Sequence, residues 1–244
     1  MIDRERADRL LVSRGLFESR AQAQAAIAAG LVSADGMVVR KPSEPIPTDA
    51  ALRATPAHPY VSRGGVKLAA ALDHFKIDPN DYVCLDVGAS TGGFTQVLLE
   101  RGARLVYAVD VGRDQLHARM REHPAVVALE QTDIRLLDPA LIVEPPNLIV
   151  VDASFISLRL VLPPALSLAA NRHAQLVALI KPQFEAPRKQ SKKGIVRDPA
   201  VHAAVCDDIA AFVAEELRWR VVDVMASPIT GGDGNHEFFL FATR

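Results

Sequence analysis

The chain has 244 residues, 49% of them apolar and 23% charged, with 28 Lys and Arg against 29 Asp and Glu for a formal charge of -1. This composition excludes intrinsic disorder, collagen-like repeats and coiled-coil rods. It also argues against a generic polyanion binder, so any nucleic-acid contact should be a local basic patch.

The N-terminus, Met1-Ile-Asp-Arg-Glu-Arg, mixes charges and has no apolar core, so no signal peptide is expected. Residues 1 to about 48 read as a small unit. Ala7, Leu10 and Leu11 stand at helical spacing, and Gly15 follows as a helix terminator. Ser19 and Gln22 form a capping-box pair that opens a second helix, which runs to about Ala29. Asp35-Gly36 between Leu31-Val-Ser-Ala and Met37-Val-Val predicts a tight hairpin. Lys41-Pro-Ser-Glu-Pro-Ile-Pro, with three prolines in seven residues, is expected to begin a linker.

The unit resembles the S4 RNA-binding domain. Arg6-x-Asp8-x-Leu-Leu, Gly15-Leu-x-x-Ser19-Arg20-x-x-Ala and Ile27-x-x-Gly30-x-Val-x-x-Asp-Gly-x-x-Val carry the likeness. The resemblance implies that Arg4, Arg6 and Arg20 face RNA. The plain alternative for each is a solvated surface arginine. By this reading residues 1–60 are an S4-like domain with its Pro-rich linker, and 61–244 a second domain.

From about residue 62, apolar runs alternate with helical stretches: Val83-Cys-Leu-Asp-Val, Leu105-Val-Tyr-Ala-Val, Val126-Val-Ala-Leu, Leu148-Ile-Val-Val and Leu176-Val-Ala-Leu-Ile. Such runs fit strands covered on both faces in a parallel α/β sheet. Between the last two runs, residues 160–170 form the most apolar stretch. It is 11 residues long and holds Pro163 and Pro164, well short of the roughly 18 that a membrane span needs. Asp198-Pro199 opens a further helix. Two more strands are expected around 220–225 and 238–241. Cys84 and Cys206 are expected as buried, reduced thiols, which fits a cytoplasmic protein.

Asp86-Val-Gly88-Ala89-Ser90-Thr91-Gly92-Gly93-Phe94-Thr follows the first of these strands and opens a helix. Glycines permit the sharp turn, and a helix N-terminus offers free N–H groups. Asp110 ends the next strand, 22 residues after Gly88, where an acid grips ribose hydroxyls in nucleotide-type sites. A dinucleotide site is the rival reading. However, Ser90 stands where a glycine makes room for a pyrophosphate, and the Asp86 carboxylate suits a cofactor with a positive amino group. S-adenosylmethionine has that group and no phosphate.

Four further segments are Tyr60-Val-Ser-Arg63-Gly-Gly-Val-Lys67-Leu, Val151-Asp152-Ala-Ser-Phe-Ile-Ser, Ile180-Lys181-Pro-Gln-Phe-Glu185 and Gly234-Asn-His-Glu237-Phe-Phe. Ligands bind beyond the carboxyl ends of parallel strands, so Asp152 and Lys181 fall on the cofactor side. An antiparallel last strand would bring Glu237 there too. With the glycine loop, these segments resemble the TlyA (haemolysin A-like) family, S4-domain relatives of FtsJ-type RNA 2′-O-methyltransferases. The likeness spans essentially the whole chain. It implies a Rossmann-like, mostly parallel seven-stranded methyltransferase domain, S-adenosylmethionine as cofactor, and ribosomal RNA or ribosomal subunits as partner. Some members carry a haemolysin label, but with neither a signal peptide nor a membrane segment in the sequence no membrane partner is expected.

The resemblance further implies a Lys67, Asp152, Lys181 and Glu237 catalytic set. It implies a cofactor site at Asp86, Gly88, Ala89, Ser90, Thr91, Gly92, Gly93, Phe94, Asp110, Val111, Asp133, Ile134 and Asp152. Asp133 would lie near the adenine amino group, a helix N-cap being its plain alternative. A ribose 2′-hydroxyl must lose its proton as it attacks a methyl carbon. A lysine amine can accept that proton and an arginine cannot. Lys181 is therefore expected as the base, with Lys67 as neighbouring cation and Asp152 and Glu237 orienting the two. Residues 181–197 carry +5, through Arg188, Lys189, Lys192 and Lys193 among others. They are expected to form a phosphate-gripping flap, and Arg63 joins the RNA-facing set. A solvated loop is the alternative for the flap. The competing functions are a same-fold methyltransferase acting on a small molecule or protein, and a non-enzymatic RNA-binding protein.

Overall fold

The helix ends of the first forty residues fall where the capping residues stand. The computed structural model describes residues 3–170, 173–191 and 194–244 and divides them into two units, Met1–Pro59 and Tyr60–Arg244. Helix α1 (Ala7–Ser13) is followed by Gly15 at φ +70°. Helix α2 (Arg20–Ala28) starts at Ser19, whose hydroxyl accepts the Gln22 N–H at 3.3 Å. Strands β2 (Val32–Ala34) and β3 (Met37–Val38) meet through Asp35 and Gly36, both at positive φ, as a two-residue hairpin turn requires.

The Pro-rich segment is not a linker. Strand β4 (Pro45–Pro47) pairs antiparallel with β1 (Arg4–Arg6), and β5 (Leu52–Ala54) pairs with β2. Proline is tolerated at the ends of a short edge strand because a donor there is dispensable. Ile46 and Ala50, both buried, hold this return segment in the core with Leu10, Leu11 and Ile27. One buried isoleucine among three prolines is too sparse a pattern to read as a strand.

In the second unit, α3 (Arg63–Phe75) precedes β6 (Val83–Val87). Then follow α4 (Gly93–Glu100), β7 (Leu105–Val109), α5 (Ala118–Arg121), β8 (Val126–Leu129), β9 (Leu148–Val151), α6 (Leu158–Ser167) and β10 (Gln175–Ile180). The chain closes with α7 (Pro182–Glu185), α8 (Pro199–Ala211), β11 (Arg220–Ala226) and β12 (Phe238–Thr243). The seven strands lie in the order β11-β12-β10-β9-β6-β7-β8. Strands β6 to β10 run parallel to one another, whereas β12 is antiparallel to both β10 and β11. Alternate residues of the central strands enter two cores. One packs against α3 and α4 through Leu68, Leu72, Phe94 and Leu98, and the other against α6 and α8 through Val161, Leu162, Val205 and Ile209. Residues 158–167, despite Pro163 and Pro164, form α6 on the sheet. Among the described residues, no helix is long and apolar enough to cross a membrane. Cys84 and Cys206 are free and buried.

Candidate active site

The glycine loop is shaped first by the protein's own packing. Gly88 has φ +85°, and a Cβ there would stand 2.6 Å from the Asp152 carbonyl oxygen. A Cβ on Gly93 would collide with the Ser62 hydroxyl oxygen, so this glycine sets the close approach of α4 to α3. Asp152 donates its N–H to Val87 O at 2.9 Å, which ties the end of β9 to the start of the loop.

Asp86 lies at the base of the loop with its side chain fully enclosed. The Thr95 hydroxyl donates to Oδ2 at 2.6 Å, and Oδ1 has no hydrogen-bond partner among the described residues. Burial first, then the charges of Asp152 and Asp110, push its carboxyl up to about 7. An unmatched buried carboxylate oxygen is what an ammonium group on a ligand would satisfy. Asp110 accepts N–H groups from Ser90 at 2.8 Å and Gly112 at 2.6 Å, one on each oxygen. The bonds fix its direction and leave lone pairs for ribose hydroxyls. Gly92, with φ +91°, precedes α4 without any side-chain cap, and the Thr95 backbone N–H of the first turn is turned onto Asp86. The donor set therefore fits a ligand carrying an amino group and a ribose. Ala89 is buried, Ser90 and Thr91 are exposed, and Val111 is 71% exposed at the rim. Phe94 and Ile134 point instead into the two cores, Phe94 against Phe239. Asp133 is held by Arg135, with Nη2 to Oδ2 at 2.5 Å, which keeps its carboxyl below the usual range; it caps no α-helix.

The expected catalytic set resolves into two ion pairs. Lys181, directly after β10, has its ammonium 2.6 Å from Asp152 Oδ1, and it donates to Ser154 Oγ at 2.7 Å. Lys67, on the second turn of α3, donates to Glu237 Oε2 at 2.5 Å. The β10–β12 register pairs Ile180 with Phe238, so Lys181 and Glu237 stand at adjacent positions of neighbouring strands. Lys67, Lys181 and Glu237 are each less than 9% exposed.

Four supporting residues escaped the reading of the sequence. Ser154 is the neutral partner of Lys181. Glu185 accepts the Ser157 hydroxyl at 2.6 Å and the Leu158 N–H at 2.7 Å, clipping the loop after Asp152 to α7. Burial raises its carboxyl above the usual range. Asn235, almost fully buried, accepts the Val196 N–H and donates to Gly194 O, both at 3.0 Å. It therefore pins the end of the basic flap two residues before Glu237. Phe155 is 89% exposed at φ +65°, its ring 5.1 Å from that of Phe184. All four sit inside the quoted motifs, which were the available signal.

The flap itself contributes exposed Lys189 and Arg197. Lys192 and Lys193 lie outside the described residues, as does the side chain of Arg188. Arg63 is exposed at the start of α3. In the N-terminal unit, Arg4 donates to Pro45 O at 2.9 Å. Arg6 and Arg20 both grip Asp8, at 3.0 and 2.7 Å. Asp8 is wholly buried and also accepts from Gln24 at 2.9 Å, while the two arginine side chains stay 41% and 49% exposed. Its two guanidinium partners hold its carboxyl far below the usual range. Asp8 was visible in the sequence only as part of a motif.

Comparison with known proteins agrees with this architecture. The FtsJ-like methyltransferase family matches residues 60–244, and the S4 domain matches residues 5–51. The 16S/23S rRNA (cytidine-2′-O)-methyltransferase TlyA of Mycobacterium tuberculosis is 46% identical over 244 residues, covering 99% of this chain and 90% of that protein. Hemolysin A of Brachyspira hyodysenteriae is 37% identical over 235 residues, covering 96% and 97%. A solved structure from Streptococcus thermophilus is 42% identical with a TM-score of 0.79, covering 100% of this chain and 90% of that one. The chain belongs to the FtsJ-like methyltransferase family, and within it to the TlyA relatives that carry an N-terminal S4 domain.

Proposed function

We propose that the protein methylates a ribose 2′-hydroxyl of ribosomal RNA with S-adenosylmethionine as methyl donor, Lys181 serving as the base. The observation that carries this reading is the pairing of buried Lys181 with Asp152 and Ser154 at the carboxyl edge of the sheet, beside the glycine loop. The activity that the M. tuberculosis relative's name states, rRNA cytidine-2′-O-methylation, supports the substrate class.

When bound, S-adenosylmethionine supplies a methyl carbon on a positively charged sulfur, and the carbon–sulfur electron pair returns to that sulfur as methyl leaves. Asp86 Oδ1 would hold the donor's amino group, and Asp110 would hold the ribose hydroxyls. The RNA 2′-oxygen would form the new bond to carbon as its proton passes to Lys181 Nζ, which can accept it only after giving up the proton it holds in the ion pair with Asp152. The ammonium so formed is received by Asp152 and the Ser154 hydroxyl oxygen, which stabilise the product of proton transfer. Lys67, held by Glu237, supplies a fixed positive charge for the oxygen as it loses its proton. Phe155 offers an open aromatic face for an unstacked base. The half-exposed Arg6 and Arg20, with Arg4, Arg63, Arg188, Lys189, Lys192 and Lys193, hold phosphates. A ribosomal substrate places this work in the cytoplasm.

The test is transfer of labelled methyl to naked ribosomal RNA, isolated subunits and intact ribosomes, alongside Lys181→Ala. Label should appear as alkali-resistant ribose methylation and vanish in the variant. Label on protein, or on a small molecule only, would replace this reading by the other methyltransferase classes.

A further inference from the structure

The proposed methylation site lies at the carboxyl edge of the sheet, but an open, arginine-lined cavity lies at the opposite edge. It has a volume of about 520 Å³ and is lined by His173, Gln175, Arg218, Arg220, Thr243 and Arg244, among others. Gln175 opens β10, Thr243 closes β12 and Arg220 opens β11. The register sets Thr243 opposite both Gln175 and Arg220, so the three side chains share one face in a row. Arg220 Nη2 donates to Thr243 Oγ1 at 3.3 Å, which holds one guanidinium against the row. His173 and Arg218 flank it at φ +59° and +60°, left-handed conformations that non-glycine residues seldom adopt.

Two features mark this cavity as a place for a ligand. The first is its charge. No Asp or Glu lines it, and among the described residues Arg218, Arg220 and Arg244 make no ion pair. Elsewhere in the same unit Arg104, Arg121 and Arg159 are each matched to carboxylates. The second is an unmet acceptor. Gln175 Oε1 is buried and has no hydrogen-bond partner among the described residues. Guanidinium forks match phosphate oxygens, and a buried amide oxygen calls for a hydroxyl or amine donor. One polymer supplies anionic oxygens and a hydroxyl donor at every step: RNA, through its phosphates and 2′-hydroxyls.

We propose that this cavity binds the ribose-phosphate backbone of RNA at a point remote from the methylated nucleotide. The inference rests on the RNA-methyltransferase reading. Strand β10 has six residues, so the two edges stand roughly 20 Å apart. An RNA long enough to reach both edges gains this contact and a dinucleotide does not. The cavity therefore selects for extended substrate while leaving the chemistry untouched.

The experiment uses the full chain with Arg218, Arg220 and Arg244 all changed to Gln, and a second variant with all three changed to Lys. RNA binding is measured against salt, with cofactor binding and melting temperature as controls. The Gln variant should bind ribosomal RNA roughly tenfold more weakly at moderate salt, with a log–log salt slope flatter by about 2 to 3. Its KM for RNA should rise while kcat at saturating RNA holds, and the Lys variant should recover the salt slope. Gln175→Ala should reduce binding to RNA more than to DNA of the same sequence. Unchanged RNA affinity and slope in the Gln variant would overturn the proposal. So would loss of inorganic phosphate binding without loss of RNA binding, which would mark a small-anion site. If the wild-type chain itself bound no RNA, the parent reading would fail too; if only the variant comparison were flat, that reading would stand.

Discussion

Two clusters of charge in this molecule obey opposite rules. In the N-terminal unit one buried carboxylate, Asp8, holds two arginines whose outer halves remain in solvent. In the second unit two lysines are matched one to one with Asp152 and Glu237, and both lysines are buried. The first arrangement leaves a net positive charge and fixes its direction, as phosphate gripping would need. The second leaves no net charge and encloses lysines, the proposed base Lys181 among them. Arginine cannot give up its proton and lysine can, so the residue types suit the two proposed tasks.

The comparison breaks most sharply at Lys181. Lys181→Arg keeps the charge and the Asp152 contact but removes the proton acceptor. Methyl transfer should fall by about 10²- to 10⁴-fold, with cofactor and RNA affinity retained. Single-turnover rates check this, and near-wild-type activity in the variant would reduce Lys181 to a structural cation.

Asp86 gives the next largest effect, through pH. Its carboxyl is pushed up to about 7, so between about 4 and 7 the folded chain holds a proton that the unfolded chain has released. Stability of the ligand-free protein should therefore fall as pH rises through that window. A ligand ammonium favours the ionised carboxylate, so cofactor affinity should rise with pH, roughly tenfold per unit, and level off above about 7. Calorimetric titration at several pH values reads this directly. Asp86→Asn should bind weakly and lose the pH dependence.

Asp8→Asn sharpens the gripping side. The substitution makes the unit more positive, yet it frees Arg6 and Arg20 from their shared anchor. We expect weaker RNA binding by a few-fold and a stability loss of about 1–3 kcal/mol, measured by filter binding and thermal melts. Tighter binding would mean that Asp8 only neutralises. The smallest effect belongs to Asn235→Ala. Releasing Gly194 and Val196 should raise KM for RNA a few-fold, hold kcat nearly constant and speed tryptic cleavage around Lys189 to Lys193. An unchanged cleavage rate would show that the flap does not depend on this clamp.

Much of the molecule was legible before folding. Most of the runs from Val83 to Ile180 are apolar because strands covered on both faces must be, and their spacing fixed a parallel α/β order; Val126–Leu129 departs from this, since β8 lies at the edge of the sheet with Val127 and Ala128 exposed. Ser19, Asp35-Gly36 and Asp198-Pro199 are local signals, read from bonds made within a few residues. Residues 41–54 resisted the same treatment. Their strand character depends on Arg4–Arg6 and Val32–Ala34 as distant partners, which prolines in the sequence disguise.

The site divides along the same line. By itself the sequence determined the residue types, their order and the edge of the sheet to which Asp152 and Lys181 belong, because strand direction and side-chain chemistry are local properties. Only tertiary structure decided who pairs with whom. Lys67 and Glu237 are 170 positions apart, and Asn235 reaches back 39 positions to Val196. Folding likewise enclosed Asp86, turned Phe94 and Ile134 inward, and placed Arg135 on Asp133. The cavity at the far edge exists only because β10, β11 and β12 align their ends. Burial and long-range register are properties of the packed chain, and no window of neighbouring residues contains them.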